Sequence, residues 1–333
     1  MLIDTMLGAP LATVGDQAAA FADLGLDGGY TFENAHDVFL PLVEAARRSD
    51  LFLYPNVAIA FPRSPMHLAH TAWDLQALTG GRFALGLGSQ VKPHIERRYA
   101  ATWTKPVGRM REMIEAIKAV FACWQDGVPL DFRGDHYTLT LMTVAFDPGP
   151  LASGPPPIWV GALGPQMTRM VAATADGLLV HPFHTEGFVR DEMLPLVDAG
   201  LAASGRERAD FHLGIDTIVC AGRTEEELAA ADTGARWLLA FYGSTPAYRP
   251  VLDHLGFGEL QPELNRLSKE GRWDDMAASI EEELIEAITL RGSPAEVARQ
   301  VHERYDGLAD RVALTLPYPH DDTLLAEVVD AIR

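Results

Sequence analysis

The sequence predicts an α/β protein folded as a (β/α)8 barrel of the TIM type, and three observations carry that reading. Short β-type runs alternate with longer helical segments through eight units, with no cluster of strands or helices alone. The 333 residues, 48% of them hydrophobic, suffice for a barrel of about 250 residues with insertions. The turn after the first strand, Leu7-Gly8-Ala9-Pro10, lacks the G-x-G-x-x-G that an open doubly wound sheet normally places there. One domain is expected over 1–333, with insertions near 125–157, after the fourth helix, and near 246–290, in the C-terminal third.

Leu2–Met6 reads as the first strand, and Ala18–Leu26 carries its helix, which stops near Gly25. Gly28–Phe32 is the second strand, and the helix after it places Leu40, Leu42, Val43 and Ala46 at apolar positions. Leu51–Phe61, rich in Val, Ile, Leu and Ala, reads as a buried third strand. Its helix, Pro65–Leu78, breaks at Thr79-Gly80-Gly81, which feeds the fourth strand, Arg82–Gly88. Over Val107–Trp124 the side chains of Met110, Ile114, Ile117, Val120 and Phe121 share one helical face. An irregular stretch then runs to Pro155-Pro156-Pro157. The alternation resumes with strand Ile158–Gly161, helix Pro165–Ala175, strand Gly177–His181 and a helix near 186–204. Strand His212–Ala221 and helix Glu225–Tyr242 follow, then a polar helical stretch over 246–290. Ser293-Pro294 supplies an N-cap and a proline at the first helical position for Ser293–Arg304. Val312–Pro317 is the eighth strand and Asp322–Ile332 the closing helix.

Composition narrows the function. The chain has 27 Lys+Arg against 46 Asp+Glu, a net charge of −19. Such a surface repels phosphate backbones and anionic lipid heads, so the expected partner is a small-molecule substrate, with no nucleic acid and no membrane. Cys123 and Cys220 are the only cysteines, too few for a disulfide framework or a Cys-rich zinc site. The start Met1-Leu2-Ile3-Asp4 has no basic leader, and the apolar runs are too short to cross a bilayer, so a cytoplasmic protein is expected.

In such a barrel the chemistry sits at the C-terminal ends of the strands. Of the four lysines, at 92, 105, 118 and 269, only Lys92 falls near a strand end, which argues against a Schiff-base enzyme. Gly86–Gln90 is no nucleophile elbow, because Val91 stands where the second glycine is required. His181 and His184 have no neighbouring carboxylate in sequence, so no metal site is expected. Two features remain. Gly161-Ala162-Leu163-Gly164-Pro165 joins a strand to a helix start, where free N–H groups suit a phosphate; it reads equally as a plain turn. Glu33 and His36 lie three apart beyond the second strand, and an imidazole there can hand over a proton near neutrality. Alternatively, His36 is a helix-start residue with no chemical role.

These windows together resemble a known family. Leu78-Thr79-Gly80-Gly81-Arg82-Phe83-Ala84-Leu85-Gly86-Leu87-Gly88-Ser89 resembles the strand-four signature of the bacterial luciferase-like family. That family holds flavin-dependent monooxygenases and deazaflavin (coenzyme F-420)-dependent oxidoreductases. Asn56–Leu68, Phe132–Tyr137 with its F-x-G-x-x-Y pattern, Trp159–Pro165 with Ala175–Gly177, and Arg291–Val297 resemble further family segments in the same order. Glu33–Leu42 and Ser89–Arg98 are most similar to the deazaflavin branch.

The resemblance implies a coenzyme F-420-dependent oxidoreductase that transfers a hydride between the deazaflavin and a small organic substrate. FMN-dependent monooxygenase is the alternative, and a non-catalytic flavin-binding protein the alternative of another class. It implies a deazaflavin across the barrel mouth, its ring backed by a bulge or non-prolyl cis peptide at Asn56–Val57. Ser89 and Gln90 would contact the ring or ribityl chain, and Gly161, Ala162, Leu163, Gly164 and Pro165 would hold the phosphate. His36 would be the proton donor or acceptor, with Glu33 as its orienting partner, and the protein would be a homodimer. One departure stands out. Sugar-phosphate dehydrogenases of the branch pair the strand-two histidine with a glutamate after strand four, where this chain has Gln90 or Val91. Their phosphate-binding Lys and Arg have no clear counterpart either.

Overall fold

A computed structural model describes residues 1–333. The first half contains β1 (Leu2–Met6), α1 (Val14–Asp23), β2 (Gly28–Thr31), α2 (Leu40–Arg48), β3 (Phe52–Pro55), β4 (Ala58–Ile59) and α3 (Pro65–Thr79). It continues through β5 (Leu85–Gly88), α4 (Lys92–Arg97), α5 (Pro106–Asp126), and a hairpin of β6 (Phe132–Arg133) and β7 (Thr138–Leu139). The second half holds β8 (Ile158–Gly161), α6 (Pro165–Thr174), β9 (Gly177–Val180), α7 (Glu186–Phe188), α8 (Leu194–Ser204), β10 (His212–Ala221) and α9 (Glu225–Gly243). Short helices α10 (Arg249–His254), α11 (Leu260–Glu270), α12 (Trp273–Ala278) and α13 (Glu282–Ile288) precede β11 (Thr289–Gly292), α14 (Pro294–Tyr305), β12 (Arg311–Thr315) and α15 (Asp322–Ile332).

The main sheet is parallel throughout and runs β3-β2-β1-β12-β10-β9-β8-β5-β4. Strands β3 and β4 are two halves of one barrel strand, and the parallel bridge Leu53–Phe83 joins the two ends of the path. The eight-stranded barrel expected from the alternation is therefore present. Its closure also draws on a buried ion pair. Asp4 accepts hydrogen bonds from Arg311 Nε (2.7 Å), Arg311 Nη2 (2.6 Å) and Tyr54 Oη (2.8 Å), linking the first and last strands through the interior. A side chain at Gly28 would place its Cβ 2.6 Å from Arg311 Nη2, so only glycine leaves room for the pair. Around it Tyr30, Tyr54, Ala84, Trp159, Leu179 and Ala313 pack inside the barrel, with the His212 ring stacked on Trp159 at 4.1 Å.

Several boundaries differ from the sequence reading. Helix α1 begins at Val14, four residues before Ala18, because Pro10 and Thr13 accept the first-turn hydrogen bonds. The expected continuous strand over Leu51–Phe61 is broken between Pro55 and Ala58, and the Asn56–Val57 peptide bond is cis. The helical stretch expected to reach 290 ends at Ile288, and β11 extends the sheet beside the last residues of β10. No helix is long and apolar enough to cross a membrane.

Candidate active site

The rim of the barrel mouth is built where the third barrel strand breaks. Asn56 donates its backbone N–H to the Thr31 carbonyl at 2.6 Å, and its Nδ2 lies 3.4 Å from Asp216 Oδ2. The Val57 side chain occupies the space that a Cβ would take at Gly88, and a Cβ at Gly161 would stand 3.2 Å from Val57 Cγ1. Glycines at the ends of β5 and β8 thus seat Val57 between two neighbouring strands. Beyond Gly88 the backbone turns through Gln90 with φ 57°, in the left-handed region; its Oε1 accepts from the Val91 N–H at 2.9 Å. Ser89 donates to the Gln90 carbonyl at 3.2 Å, and both residues are half-buried.

The segment Gly161-Ala162-Leu163-Gly164-Pro165 forms the turn from β8 into α6, with Pro165 as the first helical residue. The first hydrogen bond of α6 runs from Thr168 N–H to the Gly164 carbonyl, so the amides of Gln166 and Met167 lie ahead of it. Proline at the first position has no N–H to satisfy. A Cβ at Gly164 would meet nothing within 4 Å. This open helix start fits the phosphate of a flavin-type cofactor, and the neutral Val57–Gly88–Gly161 rim fits its ring.

Glu33 and His36 separate in function. Glu33 Oε2 accepts from the Ile59 N–H (2.7 Å) and Arg63 Nη1 (2.6 Å), and Oε1 from Tyr99 Oη (3.1 Å). Its side chain is only 7% exposed. The expected pairing of Glu33 with His36 is not formed, because Arg63 supplies an ionic partner and Glu33 becomes a clasp between the β2 loop, β4, the turn before α3 and Tyr99 just after α4. His36 is exposed and makes no hydrogen bond to the protein. Asp37 caps α2 instead, accepting from Phe39 N–H (2.8 Å) and Leu40 N–H (3.0 Å).

Asp216 and two tyrosines beside His181, none of them singled out in the sequence, add to the site. Asp216, in the middle of β10, accepts from Thr315 Oγ1 (2.7 Å) and Tyr30 Oη (3.0 Å). No cation pairs with it, and burial raises its pKa to about 7. An aspartate inside the apolar run Leu213–Ala221 was a legible sign of a buried polar network. The second group is aromatic. His181, just past β9, lies under the Tyr248 ring at 4.4 Å and against the Tyr242 edge at 4.5 Å. Nothing in the sequence spacing marks these tyrosines, which flank the junction of α9 and the inserted helices. His184 points elsewhere: it contacts the His181 carbonyl (2.9 Å) and Tyr305 Oη (3.2 Å) in the core.

Residues 3–311 match the family described as luciferase-like monooxygenase. The chain is 43% identical to an uncharacterized protein of Mycobacterium tuberculosis over 311 residues, covering 93% of this chain and 92% of that one. It is 28% identical to 5,10-methylenetetrahydromethanopterin reductase of Archaeoglobus fulgidus over 298 residues, 85% of this chain and 84% of the other. Among solved structures, coenzyme F420 dependent tetrahydromethanopterin reductase from Methanopyrus kandleri superposes with a TM-score of 0.81 at 19% identity, covering 99% of this chain and 97% of that one.

Proposed function

The chain belongs to the luciferase-like monooxygenase family, and from that premise we propose that it is a coenzyme F-420 (deazaflavin)-dependent oxidoreductase acting on a small organic substrate. The observation that carries this reading is the rim itself: Val57 seated between Gly88 and Gly161, with the open start of α6 beside it, in a fold shared with a deazaflavin-dependent reductase. When bound, the deazaflavin supplies a hydride donor or acceptor at its C5 carbon.

The protein's contribution is orientation and proton handling. Asn56 and Val57 would support the bound ring, while Ser89 and Gln90 would line it. Gly161–Pro165 and the amides of Gln166 and Met167 that follow would hold the phosphate. Glu33 holds the β2 loop in place through Arg63 and Tyr99, and that loop carries His36. His36 moves the proton that accompanies the hydride; its ring has no competing protein partner. His181 is unsuited to that task, since burial lowers its pKa to about 3 and keeps it neutral.

A fluorescence titration with coenzyme F-420 and with FMN tests the cofactor. The expected result is tighter binding of the deazaflavin. Equal or inverted affinities, with oxygen consumption by the FMN-loaded protein, would assign a monooxygenase instead, and binding of either without turnover would assign a flavin carrier.

A further inference from the structure

We propose that the aromatic corner formed by His181, Tyr242 and Tyr248 is the substrate subsite, and that it is built for an uncharged molecule carrying a carbonyl or hydroxyl oxygen on an apolar body. The inference rests on the oxidoreductase reading and names its substrate class. Hydrogen bonding fixes the chemistry of the imidazole. His181 Nδ1 accepts from the Phe183 N–H at 3.1 Å, so its proton sits on Nε2, which has no acceptor in the protein. The ring therefore presents one neutral N–H donor. Tyr248 stacks on it at an interplanar angle of 22°, and Tyr242 stands edge-on at 76°. Neither phenol hydroxyl has a protein partner, and both rings are half-buried. The corner thus offers apolar walls and a few neutral donors, the lining of a small-molecule site.

Its position links it to the proposed cofactor rim. His181 directly follows Val180, the last residue of β9, as Asn56 directly follows Pro55, the last residue of β3, so both stand at the C-terminal ends of parallel barrel strands. The corner and the strand break therefore share the barrel mouth.

Charge decides the substrate class. Arg249, next to Tyr248, pairs with Asp253 and Glu259, both at 3.3 Å. Arg63 is committed to Glu33, and Arg223, past the end of β10, to Asp321 and Glu327, both at 3.0 Å. These three arginines are paired with carboxylates, and the net charge of −19 repels anions. A carboxylate or phosphate would find neutral aromatic rings here and no counter-ion.

Histidine-selective NMR on the full chain tests this without turnover. The His181 Cε1–Hε1 signal is assigned by its loss in His181→Phe, and cyclohexanone is titrated with cyclohexanecarboxylate as the charged analogue. The expected result is a saturable shift of the His181 signal with cyclohexanone and none with the carboxylate. Tyr248→Leu, which removes the stacked ring, should weaken cyclohexanone binding by about tenfold. Tyr248→Phe, which keeps the ring, should retain it, so a folding defect is distinguishable from a lost contact. No shift with cyclohexanone, or equal binding of the carboxylate, overturns the assignment. Deazaflavin affinity measured on the same samples reports the cofactor reading separately: intact affinity without a cyclohexanone shift refutes the subsite alone.

Discussion

A carboxylate that ties three backbone segments together cannot also orient an imidazole. Glu33 commits both oxygens to Ile59, Arg63 and Tyr99, and His36 is left facing solvent at the end of the second strand. Three-residue spacing put both side chains in one loop, but spacing does not reveal that an arginine thirty residues later folds back onto one of them. The role we propose for His36 is proton transfer. Loss of a positioned acid or base typically costs about 10²–10⁴ in rate. His36→Ala should lower turnover by that factor while keeping deazaflavin affinity within a few-fold; unchanged turnover returns His36 to a helix-start residue. Asp216 makes a second prediction at this scale. Burial raises its pKa from 3.8 to about 7, so between those values the native state holds a proton that the unfolded chain has released. Its contribution to stability therefore falls as pH rises from about 4 to 7 and levels off above, by on the order of 4 kcal/mol for three pH units. The buried His181 and His184, with pKa values lowered to about 3 and about 4, contribute the opposite slope below pH 6.5. The difference between wild type and Asp216→Asn isolates the aspartate. Urea unfolding should show the variant gaining on the wild type from pH 5 to pH 8; parallel profiles would mean that Asp216 is ionised throughout.

Elements reached the right places because their boundaries are written in local chemistry. Ser293 and Glu296 form a capping box at α14, Pro165 starts α6, and Gly80, at φ 62°, ends α3. What local chemistry omits is contact between strands. The glycines at 88 and 161 stood out in the sequence as strand ends, yet their purpose is visible only once Val57 is seen between them. Overpacking a fitted site typically costs about 1–3 kcal/mol. Gly88→Ala should destabilise the protein by that amount and weaken deazaflavin binding, and Val57→Ala in the same chain should restore part of both. Additive losses in the double variant would show that the two positions do not meet. Strand β11 escaped for the complementary reason: Thr289-Leu290-Arg291-Gly292 has only one large apolar residue, and its edge is defined by the extra length of β10.

For the whole molecule, the barrel was legible because eight strand–helix units recur from Leu2 to Ile332, around the β6–β7 hairpin and the inserted helices α10–α13. The mouth was only partly so. Residues at strand ends could be counted off, but the aromatic corner depends on Tyr242 of α9 and Tyr248 of the turn before α10 meeting the residue after β9. The Asp216 network, likewise, joins β2, β10 and β12 across the interior. The central claim is that one cofactor lies across this mouth, its ring against Val57 and its phosphate at the start of α6. A crystal structure of the protein with bound coenzyme F-420 tests it most directly. The account predicts the ring over Val57, between Gly88 and Gly161, with the phosphate on the amides of Gln166 and Met167; a phosphate seated elsewhere, or a ring away from Val57, would contradict it.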